Sequence, residues 1–378
     1  MAQPHVAIKT YFRKLRDPRV RGRKRHLLLD IIVIALCAVI SGCDDWQQVE
    51  TFGRARHDWL QTFLRLPHGI PSHDTFERVF DRLDPQAFQA CFRDWMQALH
   101  DALGLSQIAI DGKTLRGSGV GGVKALHLVS AWATANYLSL GQVAVDEKSN
   151  EIPAIPKLLK LLDVSGALVT IDAMGCQKEI AAAVVAGKGD YVLTVKDNQP
   201  GLLADIQARF EEALAKDFVG VQHDSYVTED RGHGRQETRY YDIIVDPEAM
   251  PTRADWQGLR VIGMCYCECV RDGNVTGELR YFIGSRKAKA KIYGQALRNH
   301  WGIENNLHWQ LDVTFHEDQN RVSKRYGAEN LALVRRLALS LLKQHPDKRS
   351  IACKRLLAAL DPAFLTEVLQ ADGNPGKI

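Results

Sequence analysis

Two aspartates and a glutamate are the residues of this chain best suited to chemistry. Asp111 closes the apolar run Ile108-Ala109-Ile110, and Asp172 closes Ala167-Leu168-Val169-Thr170-Ile171. A carboxylate at the C-terminal end of a buried strand is presented at the sheet edge where α/β sites form. Two such strands side by side could bring both carboxylates to one divalent cation, or to a pair about 4 Å apart. An Asp after a strand is also an ordinary start for a turn or a helix cap, so the company these two keep decides between the readings.

That company includes Glu304, within Arg298-Asn299-His300-Trp301-Gly302-Ile303-Glu304-Asn305-Asn306-Leu307-His308-Trp309. An α-helical period predicts that Leu297, Trp301, Glu304, His308 and Leu311 share a face. A carboxylate in an apolar stripe needs a charged partner, which a metal completed by Asp111 and Asp172 would supply. His300, Glu304 and His308 also invite a zinc reading. A straight helix cannot turn ligands spread over two turns onto one ion, and no CxxC or HExxH completes the set. Cys265, Cys267 and Cys269 fall on one face of a strand, where small buried residues are expected. Gly112-Lys113-Thr114 mimics the end of a phosphate-binding loop, but Gln107 stands where its first glycine belongs, and the reading fails. Lys113 and Arg116 remain as phosphate contacts beside Asp111, with solvated surface charge as the plain alternative.

The elements that must position these residues follow from hydrophobic periodicity. Residues 27–104 predict a small all-α domain with a tight Pro/Gly turn at 66–71, either a helix-turn-helix reader or a packing unit. Asp74 with Glu77 has capping-box spacing, and Asp84-Pro85 opens a further helix. From residue 105 to 200 come three strands, a helix, a strand, a helix and a strand. That is the order of a ribonuclease H-like α/β core with a mixed sheet. Residues 201–285 predict a β-rich insertion, with Asp272-Gly273-Asn274 as a hairpin turn. The core resumes in a mostly helical stretch, 286–350, and residues 351–378 form a C-terminal helix and tail.

Charge is unevenly spread. The chain has 49 Lys and Arg against 45 Asp and Glu, yet residues 1–26 hold nine basic groups and one acid, Asp17. A basic arm implies a polyanionic partner, nucleic acid or an anionic membrane. Residues 27–43 form a long apolar run ending in Ile40-Ser41-Gly42-Cys43, which resembles a lipoprotein cleavage site. Asp30 interrupts the run and it is short for a span, so a buried core helix is expected. Eight cysteines in 378 residues are too few for a disulfide scaffold and point to a reducing compartment. The composition excludes disordered and fibrous classes.

Several longer motifs stand in order: Asp17-Pro18-Arg19 before the apolar helix; Ile110-Asp111-Gly112-Lys113-Thr114-Leu115-Arg116-Gly117-Ser118; Ile171-Asp172-Ala173-Met174-Gly175-Cys176-Gln177; Lys196-Asp197-Asn198-Gln199; His233-Gly234-Arg235-Gln236-Glu237-Thr238-Arg239; and His300-Trp301-Gly302-Ile303-Glu304-Asn305 with Leu307-His308-Trp309 and Leu311-Asp312-Val313. With these the chain resembles, over nearly its whole length, the DDE transposases of bacterial insertion sequences, specifically the ISAs-type or H-repeat-associated group. The resemblance implies that Asp111, Asp172 and Glu304 are the catalytic, metal-binding triad, holding two Mg²⁺ ions with Mn²⁺ able to substitute. It implies double-stranded DNA as partner, both element ends and target, a homodimer on paired ends, no membrane, and a cytoplasmic, nucleoid-associated protein. Wider relatives place Tyr, Arg and Lys at −7, −4 and +7 from the glutamate, where this chain has Leu297, His300 and Leu311. The basic roles then fall elsewhere, with DNA-contact candidates Lys113, Arg116, Arg235, Arg239, Arg298, His300, His308, Arg321, Lys324 and Arg325. Two rival readings keep the fold: a catalytically silent DNA-binding regulator, and a site-specific nuclease.

Overall fold

The computed structural model describes residues 10–20, 22, 24–103, 107–119, 124–146, 149–232 and 234–370. Residues 1–9, 21 and 23 of the expected arm, His233 of the insertion and the tail 371–378 lie outside them. In chain order the helices and strands are α1 (Leu28–Ile40), α2 (Trp46–Ala55), α3 (His57–Gln61), α4 (His73–Phe80), α5 (Pro85–Leu103), β1 (Gln107–Leu115), β2 (Leu126–Ala133), β3 (Leu138–Ala144), α6 (Ala154–Leu159), β4 (Leu168–Ile171), α7 (Lys178–Ala186), β5 (Asp190–Val195), α8 (Pro200–Ala215), β6 (Gln222–Gly232), β7 (Arg235–Val245), β8 (Val261–Arg271), β9 (Asn274–Gly284), α9 (Ala290–His300), α10 (Gly327–Gln344), α11 (Ile351–Leu360) and α12 (Pro362–Leu369). The protein is a mixed α/β fold with an N-terminal helical region and a nine-stranded mixed sheet, ordered β3-β2-β1-β4-β5-β9-β8-β7-β6. Its first five strands follow the ribonuclease H-like order expected of the core. The chain divides into two compact units, one of Met1–Leu105, Gly112–Lys148 and Glu304–Ile378, the other of Ser106–Asp111 and Ser149–Ile303.

In the first unit, α1 is buried at every residue from Asp30 to Ile40. It packs on α10, which is itself buried along most of its length. Asp30 is tolerated there because its Oδ2 accepts the Leu66 N–H at 3.0 Å. Among the described residues no helix is long and apolar enough to cross a membrane. Helix α2 starts at Asp45, whose Oδ1 accepts the Gln48 N–H at 2.8 Å. Helix α4 starts differently from the sequence expectation: Ser72 holds the N-cap position, and Glu50 of α2 accepts the His73 N–H at 2.7 Å. The Asp74–Glu77 spacing is therefore not a capping box. Asp84 does open α5, accepting the N–H groups of Gln86 and Ala87. Strands β2 and β3 pair antiparallel, against α5 and α10. Arg19 of the arm is turned inward, holding Asp17 at 2.8 Å and the His26 carbonyl at 2.7 Å.

In the second unit, the start of β1 pairs parallel with β4, and β4 pairs parallel with β5. Strand β9 then pairs antiparallel with β5, opposing Leu193 to Ile283, and β8, β7 and β6 follow antiparallel. The strands of the expected β-rich insertion thus continue the core sheet edge to edge. Asp272 and Gly273, both at positive φ, make the tight turn between β8 and β9 that the sequence announces. Helix α9 buries Tyr293 against Phe282, ring centroids 5.5 Å apart.

Candidate active site

The parallel register of β1 and β4 places Ile110 opposite Ile171. Asp111 and Asp172 are the next residues, but they differ from the sequence expectation: β4 ends at Ile171, so Asp172 follows its C-terminal end, whereas β1 runs on to Leu115 and Asp111 lies within it, at the point where the pairing with β4 stops. Both are half-buried. Asp172 Oδ1 accepts the Gly175 N–H at 3.3 Å, closing a turn that fixes its carboxylate. Gly175 has no alternative there, since a Cβ would lie 2.2 Å from Ile171 Cγ2. Two amides of the Lys196-Asp197-Asn198-Gln199 element brace the same turn. Asn198 Nδ2 donates to the Ala173 carbonyl at 2.8 Å and Gln199 Nε2 to the Cys176 carbonyl at 2.9 Å. Burial raises the Asp172 carboxyl above its ordinary value; the Gly175 N–H and Lys196 oppose this and Glu151 adds to it.

At the start of β1, Gln107 Nε2 donates to Thr170 Oγ1 at 3.2 Å and to the Ala296 carbonyl at 2.7 Å. His300 Nδ1 meets the same Thr170 Oγ1 at 3.0 Å. This polar knot fastens the C-terminal half of α9 to β1 and β4. Gln107, which spoils the phosphate-loop reading, is here a structural tie. Burial pushes His300 down to about 4, so the ring is neutral near pH 7.

The segment after α9 departs from the expected α-helix. Residues Glu304–His308 and Gln310–Thr314 are π-helical, and the Phe315 N–H bonds the carbonyl of Gln310, five residues back. Such widened turns recur at functional sites. The buried side chains are Leu307, Leu311 and Phe315, each four residues apart. Trp301 is 41% exposed and Glu304 is exposed. The expected inward stripe of Leu297, Trp301, Glu304, His308 and Leu311 does not form: Trp301 and Glu304, before and at the first widened turn, already face outward, and Ile303, Leu307 and Leu311 are buried instead.

The carboxylates that follow Glu304 converge on Lys113. Its Nζ lies 2.6 Å from Asp312 Oδ1, 3.2 Å from Glu317 Oε2 and 3.3 Å from Asp318 Oδ1. Glu317, 1% exposed, also meets Arg336 of α10 at 2.9 Å, and Arg336 is wholly buried. Burial opposes ionisation of Glu317, but Arg336 and Lys113 outweigh it and hold the carboxyl down at about 2. For Lys113, burial favours the neutral amine, and Glu317 and Asp312 reverse that to raise its pKa. Burial, with Arg336 and Lys113 beside it, pushes His308 down to about 3. Nothing local in the sequence announced this cluster, although Arg335-Arg336 inside the apolar run of α10 was a readable signal of buried partners.

The remaining basic candidates divide into two sets. Arg239 is only 12% exposed and bridges Asp230 and Glu237. Lys113 is buried, and His300 and His308 are partly buried. Arg116, Arg235, Arg298, Arg321, Lys324 and Arg325 are exposed. Of these, Arg235 pairs with Glu237 at 3.0 Å, Arg298 with Asp230 at 3.5 Å and Lys324 with Glu77 at 2.8 Å. Among the described residues, which include Asp111, Asp172 and Glu304, no group of three or more His, Cys, Asp or Glu is placed to hold a metal ion. Cys265 is buried, and Cys267 and Cys269 are partly so; all three are free thiols.

Comparison with known proteins gives a consistent picture. The model of the transposase DDE domain family matches residues 103–341, and that of the DDE_Tnp_1-associated family matches residues 9–96. The chain is 40% identical over 366 residues to "Putative transposase YncI" of Escherichia coli O157:H7, covering 95% of this chain and 93% of the relative. It is 37% identical over 369 residues to "H repeat-associated putative transposase YhhI" of Escherichia coli (strain K12), covering 94% and 96%. Among solved structures, a piggyBac transposase synaptic complex with hairpin DNA aligns with 100% of this chain and 83% of that chain, at 10% identity and a TM-score of 0.42.

Proposed function

Because the chain belongs to the DDE transposase family, we propose that it binds the terminal inverted repeats of its insertion sequence, cuts DNA strands there and joins the freed ends to target DNA. The observation that supports the reading is that Asp111 and Asp172 each directly follow a register pair, Ile110 and Ile171, of adjacent parallel strands. Glu304 is the third carboxylate of the proposal. Its support is the resemblance of His300-Trp301-Gly302-Ile303-Glu304-Asn305 to the glutamate motif of the family.

Asp111, Asp172 and Glu304 would hold the divalent ions, two Mg²⁺ with Mn²⁺ as substitute. The half-buried Asp pair fits a cation because burial makes the negative charge at Asp172 costly, a cost that a bound cation would offset. Bound there, the metal supplies a polarised water for attack on phosphorus and charge stabilisation of the leaving 3′ oxygen. The turn at Gly175 and the Asn198 and Gln199 amides keep the Asp172 carboxylate in one orientation, as a preorganised ligand requires. Arg116, Arg235, Arg298, Arg321, Lys324 and Arg325 would contact phosphates, which positions DNA without reading its sequence. The 3′-hydroxyl released by hydrolysis then attacks a target phosphodiester; one P–O bond forms as another breaks, the hydroxyl proton departs, and no covalent enzyme intermediate is needed. The protein would act on DNA in the cytoplasm, as a homodimer on paired ends.

The test uses the full chain, duplexes carrying the inverted repeats that flank its coding sequence, and Mg²⁺. Strand cleavage at the repeat boundary followed by joining to target supports the reading. Specific binding without cleavage identifies a silent regulator, and cleavage without joining identifies a nuclease.

A further inference from the structure

Lys113 lies two residues beyond Asp111 on β1, in the sequence where a surface phosphate contact is the natural expectation. Instead its ammonium is closed in by Asp312 from the π-helical segment and by Glu317 and Asp318 from the turn that follows it. Backbone contacts reinforce the junction. Asp318 Oδ1 accepts the Arg116 N–H at 3.2 Å, and a Cβ on Gly117 would lie 2.4 Å from the Asn320 carbonyl oxygen and 2.6 Å from that of Asp318. On the far side Arg336 of α10 grips the second oxygen of Glu317. The segment carrying Glu304 is thereby held at its C-terminal end between β1 and α10.

Stability alone is a poor reason for such a cluster. Desolvating several charges costs about what their attraction returns, and apolar replacements of similar volume are often as stable or more so. The cluster is also not optimised for satisfaction: among the described residues Arg336 Nε and Nη2 find no hydrogen-bond partner. What directed, short-range ion pairs do supply is a single geometry. A π-helical stretch has particular need of one, because the commoner α-helix competes for the same residues.

We propose that Lys113 is a positioning residue: its ammonium stands as a fixed internal cation among Asp312, Glu317 and Asp318, clamping the π-helical segment so that Glu304 keeps one orientation and those three acids are spoken for. Lys113 touches neither DNA nor metal in this account and acts through the segment. The inference rests on the role of Glu304 proposed above, but its test does not depend on activity alone.

The experiment compares Lys113→Met, Lys113→Arg and Glu317→Gln in the full chain, following amide hydrogen exchange, DNA binding and the Mg²⁺ dependence of end cleavage. Lys113→Met and Glu317→Gln should each speed exchange in peptides covering 304–320 by about tenfold or more, with peptides covering 178–195 unchanged. Each should raise the Mg²⁺ concentration for half-maximal cleavage by about tenfold, the usual effect of losing an outer support, with DNA affinity unaltered. Lys113→Arg, which keeps the charge, should stay near the parent, and the Lys113→Met/Glu317→Gln double variant should be no worse than either single one. Should Lys113→Met fail to fold, the near-isosteric Glu317→Gln carries the same comparison. A folded Lys113→Met or Glu317→Gln protein with parental exchange across 304–320 overturns the clamp. Failure of the parent to cleave DNA would count against the proposed function and leave the exchange result to decide the clamp.

Discussion

Ile110 and Ile171 are register partners on adjacent parallel strands, and each is followed at once by an aspartate. That relationship sets an aspartate within β1 beside the point where β4 gives way to another. Asp111 and Asp172 are 61 residues apart in sequence, and a one-residue slip of β4 against β1 would separate their side chains onto opposite faces. The buried residues of both strands, Ile108 to Ile110 and Leu168 to Ile171, specify the register that prevents it.

The third carboxylate should be distinguishable from its neighbours. Glu304→Gln is expected to reduce strand cleavage by about a thousandfold or more, as removing a key charge stabiliser can do. Asp312→Asn and Asp318→Asn should retain far more activity, and the loss in Glu317→Gln should be recovered by raising Mg²⁺. An active Glu304→Gln beside a dead Asp312→Asn or Asp318→Asn would show that a different acid closes the set.

Acid should weaken the fold beginning near pH 6.5. His300 and His308 are held down at about 4 and about 3, so the unfolded chain takes up their protons first as pH falls. Their contribution is complete above the ordinary histidine value and is lost between about pH 6.5 and those depressed values. Glu317, held at about 2, adds stability that is complete above the ordinary glutamate value and disappears below it. Glu329, which burial raises to about 7, acts the other way as pH falls, because the folded chain takes up its proton first. In urea denaturation from pH 8 to 5 each histidine should still contribute a decline of up to about 1.4 kcal/mol per pH unit below about 6.5. His308→Gln should make the decline shallower; an unchanged slope would contradict the buried, neutral ring.

The basic N-terminus should supply mainly sequence-independent affinity. Deleting residues 1–26 removes nine cations and one acid, and each phosphate they neutralise contributes about −0.9 to the slope of log K against log salt. Since Arg19 is already committed to Asp17 and the His26 carbonyl, the slope should flatten by less than the full charge implies. Specific and random DNA should lose affinity alike. A slope unchanged by the deletion would show that the arm is not on the DNA.

Local pattern announced much of this architecture. The apolar run broken once by Asp30 reads as a core helix, and Asp272-Gly273 reads as a hairpin. The strand Leu168 to Ile171 announces the second aspartate. What stayed illegible depended on distant partners. The union of the insertion with the core sheet needs Leu193 to meet Ile283, and the burial of Lys113 needs acids some 200 residues away. Glu304 lies on the exposed face because the buried residues are Ile303, Leu307 and Leu311, and the π turns from Glu304 onward break the α period that links it to Leu311. Periodicity predicts faces only when the period is right.

If Asp111 and Asp172 carry the chemistry, Asp172→Asn must abolish it. Asn is nearly isosteric, and its Oδ1 can still accept the Gly175 N–H, so the turn and the fold should survive. With the purified variant, duplexes of the element's ends and Mg²⁺, cleavage and DNA affinity would be measured side by side. The account predicts cleavage lost by about a thousandfold or more. It predicts end binding equal to the parent or slightly tighter, because a negative charge facing phosphate is gone. Substantial cleavage by a well-folded Asp172→Asn protein would contradict it.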